Sequence, residues 1–361
     1  MTGPAHNSRT SEQGSALVVV LWVVGLLSMF VMAFAFDMHI EARITSTWRR
    51  KLQAEYLARA GVELARMTLL AMDDPELQTT EPGLYISMGP DEEQRAATLA
   101  LARGGGAELE RALGNGLIRI SLRPENARIN IHTMIDLEDR ELTYDQMTPL
   151  FDSAGIPWEM RDELVDCLLD WVDEDELVRL AGAESSYYES LDPPYEAKNR
   201  PLDTIEEIFL IKGFDQIVPE TDTTVYETLA GFLTTYSEDQ KININAADLA
   251  TLMAFLNIDE QMAQQIIDER AGPDGIEGTA DDDPFTQENL TSRLPILSEE
   301  ALKYIAFNAV GRFNIRVQGQ VGDVTRNINC IVSKDEQVLL ILNWTENDTG
   351  WSPRQGVGHD D

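Results

Sequence analysis

The chain has 361 residues, a formal net charge of −35 from 28 basic and 63 acidic side chains, and two cysteines. A surface that acidic repels phosphate backbones and anionic headgroups and attracts divalent cations, so it argues against nucleic acid as a partner. Two cysteines are too few for a disulfide scaffold, and a hydrophobic content of 43% supports folded cores rather than disorder.

The first element is an uncharged run over residues 16–36, directly behind Glu12-Gln13-Gly14-Ser15. At ~1.5 Å rise per residue it is long enough to cross a bilayer core of ~30 Å. It exceeds the ~7–15-residue core of a secretory signal, although Ala33-Phe34-Ala35 offers an A-x-A-like cleavage site. An uncleaved signal anchor fits the same hydropathy. Arg9 precedes the span, and Arg43, Arg49, Arg50 and Lys51 follow it, so the positive-inside rule does little to orient it. Helical periodicity continues to about Met72. Phe36, Ile40, Ile44, Trp48, Leu52 and Tyr56 recur at i+4 and read as a packing face for a globular domain. Asp73-Asp74-Pro75 ends the helix.

Beyond it, residues 84–88 and 117–122 read as strands around a helical stretch at about 91–113, with turns at Gly104-Gly105-Gly106 and Gly114-Asn115-Gly116. Residues 313–319, 324–332 and 338–344 alternate as strands. The polar end, 347–361, reads as disordered. Between these β portions, residues 129–308 are mostly helical and carry a weak duplication. Arg128-Ile129-Asn130-Ile131 matches Lys241-Ile242-Asn243-Ile244, and the helix at 162–171 matches that at 260–270. The second unit resembles a helix-hairpin-helix (SAM-like) motif. Those motifs bind phosphate through a Gly-x-Gly hairpin at a helix N-terminus, whereas here the hairpin reads Asn257-Ile258-Asp259. In the first unit, Lys212-Gly213 keeps a trace of the pattern. The sequence thus supports the packing but not nucleic-acid binding. Cys167 falls in a helix pattern and Cys330 in a strand, where buried free thiols are the plain reading, although an oxidising compartment would permit a bridge.

Two acidic loops carry cation chemistry. One holds Asp170, Asp173, Asp175 and Glu184; the other holds Asp274, Glu277, Asp281, Asp282 and Asp283 among glycines 272, 275 and 278. Calcium takes ~6–8 oxygens at ~2.3–2.6 Å. Neither loop contains His or Cys, which disfavours zinc and copper. A solvated acidic surface is the competing reading. No catalytic constellation emerges: His6, His39, His132 and His359 are scattered, with no nucleophile motif beside them. The expectation is a protein that is not an enzyme.

The Gly14-Ser15 junction with its retained helix resembles the class III signal of type IV pilins and type II secretion pseudopilins. LLDWVDEDE, GAESSYYESLDPPYEAKNRPLDTIEEIFLIKGF and ININA are together similar to the type II secretion minor pseudopilin K subunit. The resemblance covers most of residues 14–344. It implies an α+β fold with these parts: a leader at 1–14, a helix at 15–73 spanning the membrane at 16–36, and a pilin-like domain split into 74–128 and 309–346 by a helical insertion at 129–308. It implies cleavage after Gly14 by a prepilin peptidase, with Ser15 as the new N-terminus. It also implies bound calcium in the insertion, a place at the pseudopilus tip with two other minor pseudopilins, and inner-membrane anchoring with the bulk in the periplasm. The remaining implied partners are membrane lipid, the secretion machinery and its exported cargo.

Pilins carry glutamate at the fifth mature position, which here is Val19. A tip subunit has no neighbour above it, and an unpaired carboxylate in hydrocarbon would cost several kcal/mol. Ser15 stands where phenylalanine is usual, so methylation of the new amine is left open. Leu17, Val19, Leu21, Val24, Gly25 and Ser28 are the expected helix-packing positions, with Gly25 the closest approach. A type IV minor pilin or a membrane-anchored calcium-binding surface protein are the competing functions.

Overall fold

The structure, a computed structural model, describes residues 12–73, 92–237, 241–279, 281–295, 297, 302–335 and 338–347. The leader to residue 11, the expected strand at 84–88 and the tail from 348 lie outside the described residues.

Helix α1, Glu12–Ala71, is continuous. Its membrane half is bare, and its second half lies on a five-stranded antiparallel sheet. The strands are β1 (Ala107–Leu113), β2 (Gly116–Pro124), β7 (Arg312–Val321), β8 (Val324–Asp335) and β9 (Val338–Asn347), side by side in that order. Inward-facing Ile118, Ile120, Leu122, Phe313, Ile315, Val317, Cys330 and Val332 form the core against α1. The short helix α2, Glu92–Ala102, closes one end.

The face of α1 that packs is not the large-residue stripe. Phe36, Ile40, Ile44, Trp48, Leu52 and Tyr56 all remain exposed, Trp48 by 67%. The buried face is Ala54, Leu57, Ala58, Val62, Ala65 and Leu69. Small residues win because helix and sheet meet backbone to backbone. A Cβ on Gly319 of β7 would lie 2.2 Å from the Ala54 carbonyl, and one on Gly61 would lie 2.4 Å from Val317. The bulky stripe marks a surface, not the core.

The expected helix at 91–113 is also corrected. It stops at Ala102, and residues 107–113 form β1, which pairs with β2 from Ala107↔Leu122 to Leu113↔Gly116. AELERAL has good helix formers, but the glycines at 104–106 break the helix. Alternate burial of Ala107 and Leu109 then rewards an edge strand.

The insertion runs from residue 125 to 311, leaving the sheet after β2 and returning at β7, where Pro124 pairs with Phe313. It has its own core. Both halves of the duplication form a short parallel bridge. β3 (Ile129–Asn130) pairs with β4 (Leu233–Thr234), and β5 (Ile242–Asn243) pairs with β6 (Ile305–Ala306). In each half the strand asparagine accepts from the backbone N–H two residues on, Asn130 from His132 at 3.1 Å and Asn243 from Asn245 at 3.0 Å.

Each half also holds a helical hairpin. In the first, α3 (Arg140–Ser153) leads to α4 (Trp158–Val172); in the second, which follows the short α6 (Val225–Leu229), α7 (Leu249–Leu256) leads to α8 (Glu260–Arg270). Gly155 and Asn257 occupy equivalent left-handed positions, φ 68° and 50°. The repeated hairpin glycine is therefore Gly155, not Gly213. Asp259 caps α8 itself, accepting from Met262 N at 2.8 Å, so a carboxylate sits where a phosphate would bind. Cys167 and Cys330 are free, one in each core.

Candidate metal centre and membrane helix

Helix α4 ends at Val172, which places Asp170 on its last turn facing the core and Asp173 at its C-cap. The following loop returns so that Glu184 becomes the N-cap of the short helix α5, Ser185–Tyr188. One carboxylate oxygen from each of Asp170, Asp173 and Glu184 lies within 4.8 Å of the others. All three residues are buried, at 0%, 7% and 1% exposure. Gly182 is required for this closure, because a Cβ there would lie 1.9 Å from Asp170 Oδ2.

Arg179 offsets part of the charge. Its Nη1 donates to Asp170 Oδ1 at 2.7 Å and to Asp173 Oδ2, and its backbone N–H donates to Asp170 Oδ2 at 3.2 Å. Asp173 Oδ1 and both Glu184 oxygens remain buried without a hydrogen-bond partner. Burial raises the Asp170 carboxyl above the usual range, and Arg179 opposes that rise. Glu184 is pushed up to about 8, first by burial and then by Asp170, Asp173, Glu176 and Asp175. Unpartnered buried oxygens of Asp173 and Glu184, with Asp170 beside them, are a donor set that could hold a hard cation, and oxygen-only chemistry fits calcium.

Around this centre, Glu176 accepts from Ser185 Oγ at 2.9 Å and from Asn199 Nδ2 at 2.8 Å, tying the loop to its return. Trp171 and Tyr188 meet edge to face at 5.1 Å. Asp175 stays outside, accepting from Leu177 N at 2.8 Å. The sequence reading passed over Arg179. Its signal was present: it is the only Lys or Arg between Arg161 and Lys198.

The second loop arranges its carboxylates differently, and among the described residues they do not converge. Asp281 accepts from Asp274 N at 3.1 Å, and Asp274 accepts from Ile276 N at 2.8 Å. Asp282 accepts from Gly278 N at 2.8 Å and Thr279 N at 3.3 Å. Glu277 pairs with buried Arg270 at 2.5 Å, and Asp283 with Arg293 at 3.4 Å. Gly272, Gly275 and Gly278 all take positive φ, which lets the loop fold onto its own side chains.

In α1, Gly14 and Ser15 lie in the first turns. Leu17, Val19, Leu21 and Val24 are between 53% and 65% exposed, Ser28 is exposed too, and a Cβ on Gly25 would meet nothing. Among the described residues this is the one helix long and apolar enough to cross a membrane.

A long helix, apolar at its start and laid on an antiparallel sheet that a helical insertion interrupts, defines an α+β protein whose first helix fits a single-pass membrane anchor. Residues 127–238 match the family model described as type II secretion system (T2SS), protein K. The type II secretion system protein K of Pseudomonas aeruginosa is 26% identical over 284 residues, 77% of either chain. That of Klebsiella pneumoniae is 24% identical over 322 residues, 85% of this chain and 90% of its own. A chain of the crystallised GspK-GspI-GspJ complex from the type 2 secretion system of enterotoxigenic Escherichia coli shares the fold. Its TM-score is 0.56 at 19% identity, covering 86% of this chain and all of that one. Over most of its length the chain is thus similar to protein K of type II secretion systems, and residues 127–238 carry the match to that family.

Proposed function

We propose that this minor pseudopilin sits at the tip of a periplasmic pseudopilus with two other minor pseudopilins, and that a structural calcium ion sets the shape of its insertion. The tip reading is supported by Val19, which leaves no carboxylate in the membrane helix for a subunit above to pair with, and by a structural neighbour solved as a complex of three such proteins. Prepilin peptidase cleaves between Gly14 and Ser15, the helix anchors the chain in the inner membrane, and the bulk lies in the periplasm. There it serves export of folded proteins across the outer membrane. The exposed flank of α1, from Leu17 through Gly25 and Ser28 to Tyr56, faces neighbouring N-helices.

The single observation carrying the calcium reading is the buried, partnerless oxygens of Glu184 and Asp173 beside Asp170. Crowded carboxylates repel without a cation, and an ion bound only to the folded state stabilises it by ~2.7 kcal/mol at a hundredfold excess over Kd. The carboxylates of the second loop already accept from backbone N–H groups and arginines, so the argument rests on the first. Chelation of the full chain in detergent should lower its melting temperature. Calcium should restore it better than magnesium, which demands a stricter octahedron. Asp173→Ala should abolish much of that response. A melting curve unmoved by chelator, in a sample shown to be metal-free, overturns the reading.

A further inference from the structure

The calcium reading above, on which this inference rests, places three negative charges in a buried space that Arg179 already shares. The guanidinium holds Asp170 Oδ1 and Asp173 Oδ2 through one nitrogen. A cation gathered by all three carboxylates would draw on those same two side chains. A second positive charge a few ångströms away is strongly repelled where water is excluded. The loop around Arg179 is built to let it leave. Leu177, Val178 and Leu180 are 75%, 57% and 104% exposed, so no packing holds their segment against α4. Leu177 N is fixed by Asp175 Oδ1 at 2.8 Å and Ala181 N by Asp166 Oδ2 at 3.0 Å. Between these two anchors, the bonds of Arg179 to Asp170 and Asp173 draw the chain inward.

We propose that Arg179 is a built-in counter-ion that competes with calcium for Asp170 and Asp173. The metal-free chain keeps the guanidinium inside. Entry of calcium expels it, and residues 177–181 swing on their two anchors, moving three exposed apolar side chains with them. The insertion therefore offers a different surface in each state, and its calcium affinity is reduced by the fraction of chains that hold Arg179 inside. A charge-assisted hydrogen bond shifts such a balance roughly tenfold or more.

The test is calorimetric calcium titration of the full chain in detergent, stripped of metal, beside its Arg179→Gln variant. The variant should bind calcium about tenfold tighter and melt at a lower temperature when metal-free. Binding in the variant alone supports the competition as well. Equal or weaker affinity in the variant overturns the competition and leaves the calcium site standing. Absence of binding in both proteins overturns the site as well. Should the variant fail to fold, hydrogen exchange of the wild-type chain decides. Calcium should speed exchange of the Arg179 amide, which loses Asp170 Oδ2 as acceptor, while α4 slows. Slower exchange in both segments overturns the proposal.

Discussion

At the scale of single residues, the centre at the end of α4 is set by how the loop behind it returns. Oxygen-only side chains in an acidic loop pointed to a hard cation, and Asp170, Asp173 and Glu184 do converge. The partition of roles depends on how the loop returns, which spacing alone does not give. Asp175 turns outward, Arg179 turns inward, and Gly182 is needed because Asp170 fills the space of a side chain. Glu184 yields a pH prediction for the metal-free chain. Its folded value of about 8 stands above the ordinary 4.5, so its protonated form favours the fold. That contribution is complete below pH 4.5 and is lost as pH rises to about 8. The melting temperature of the metal-free chain should carry this downward slope, and Glu184→Gln should flatten it while removing most of the calcium response. A variant with the wild-type slope and response would exclude Glu184 from the centre.

Among the elements, the hairpin strands and the duplication could be read from alternation and repeated tetrapeptides, and both repeats form parallel bridges with matching asparagine turns. Two misreadings share one cause: local pattern was followed where tertiary packing decides. The large apolar residues of α1 suggested a core face, yet that face is Ala54, Ala58, Gly61 and Ala65 set among Leu57, Val62 and Leu69. The helix formers of residues 107–113 yielded to strand pairing. The close approach predicts that Gly319→Val loses about 1–3 kcal/mol or more in chemical denaturation. Asn245 predicts a comparable loss from the insertion. Its side chain donates to the carbonyls of Phe285 at 2.9 Å and Phe307 at 3.0 Å and accepts from Phe285 N at 2.8 Å. Asn245→Ala strands these buried groups and should cost roughly 2–4 kcal/mol. Asp259→Ala, which removes only a cap, should cost about 0.5–2 kcal/mol. Denaturant midpoints of the three variants rank the effects.

For the whole molecule, the membrane helix and its junction lead to a processing prediction. Gly14→Leu should leave the leader attached, the protein in the membrane and secretion lost. Sequencing the mature N-terminus distinguishes Ser15 from Met1 or Phe36, and a Gly14→Leu chain still trimmed at that point would refute the prepilin route. Cysteines placed at Leu17, Leu21 or Val24 should cross-link to two other small pilin-like proteins. Self-cross-links alone would favour a surface protein outside any filament.

The departure and return of the insertion, side by side at Pro124 and Phe313, bear on how freely it can change. Because both ends leave the sheet at one rung of the ladder, residues 125–311 can lengthen, shrink or be exchanged without shifting the register of a single strand. The insertion can thus change in length and content independently of the sheet that carries it. A chain in which a two-residue Asn-Gly turn replaces residues 125–312 would close β2 onto β7 as an ordinary hairpin.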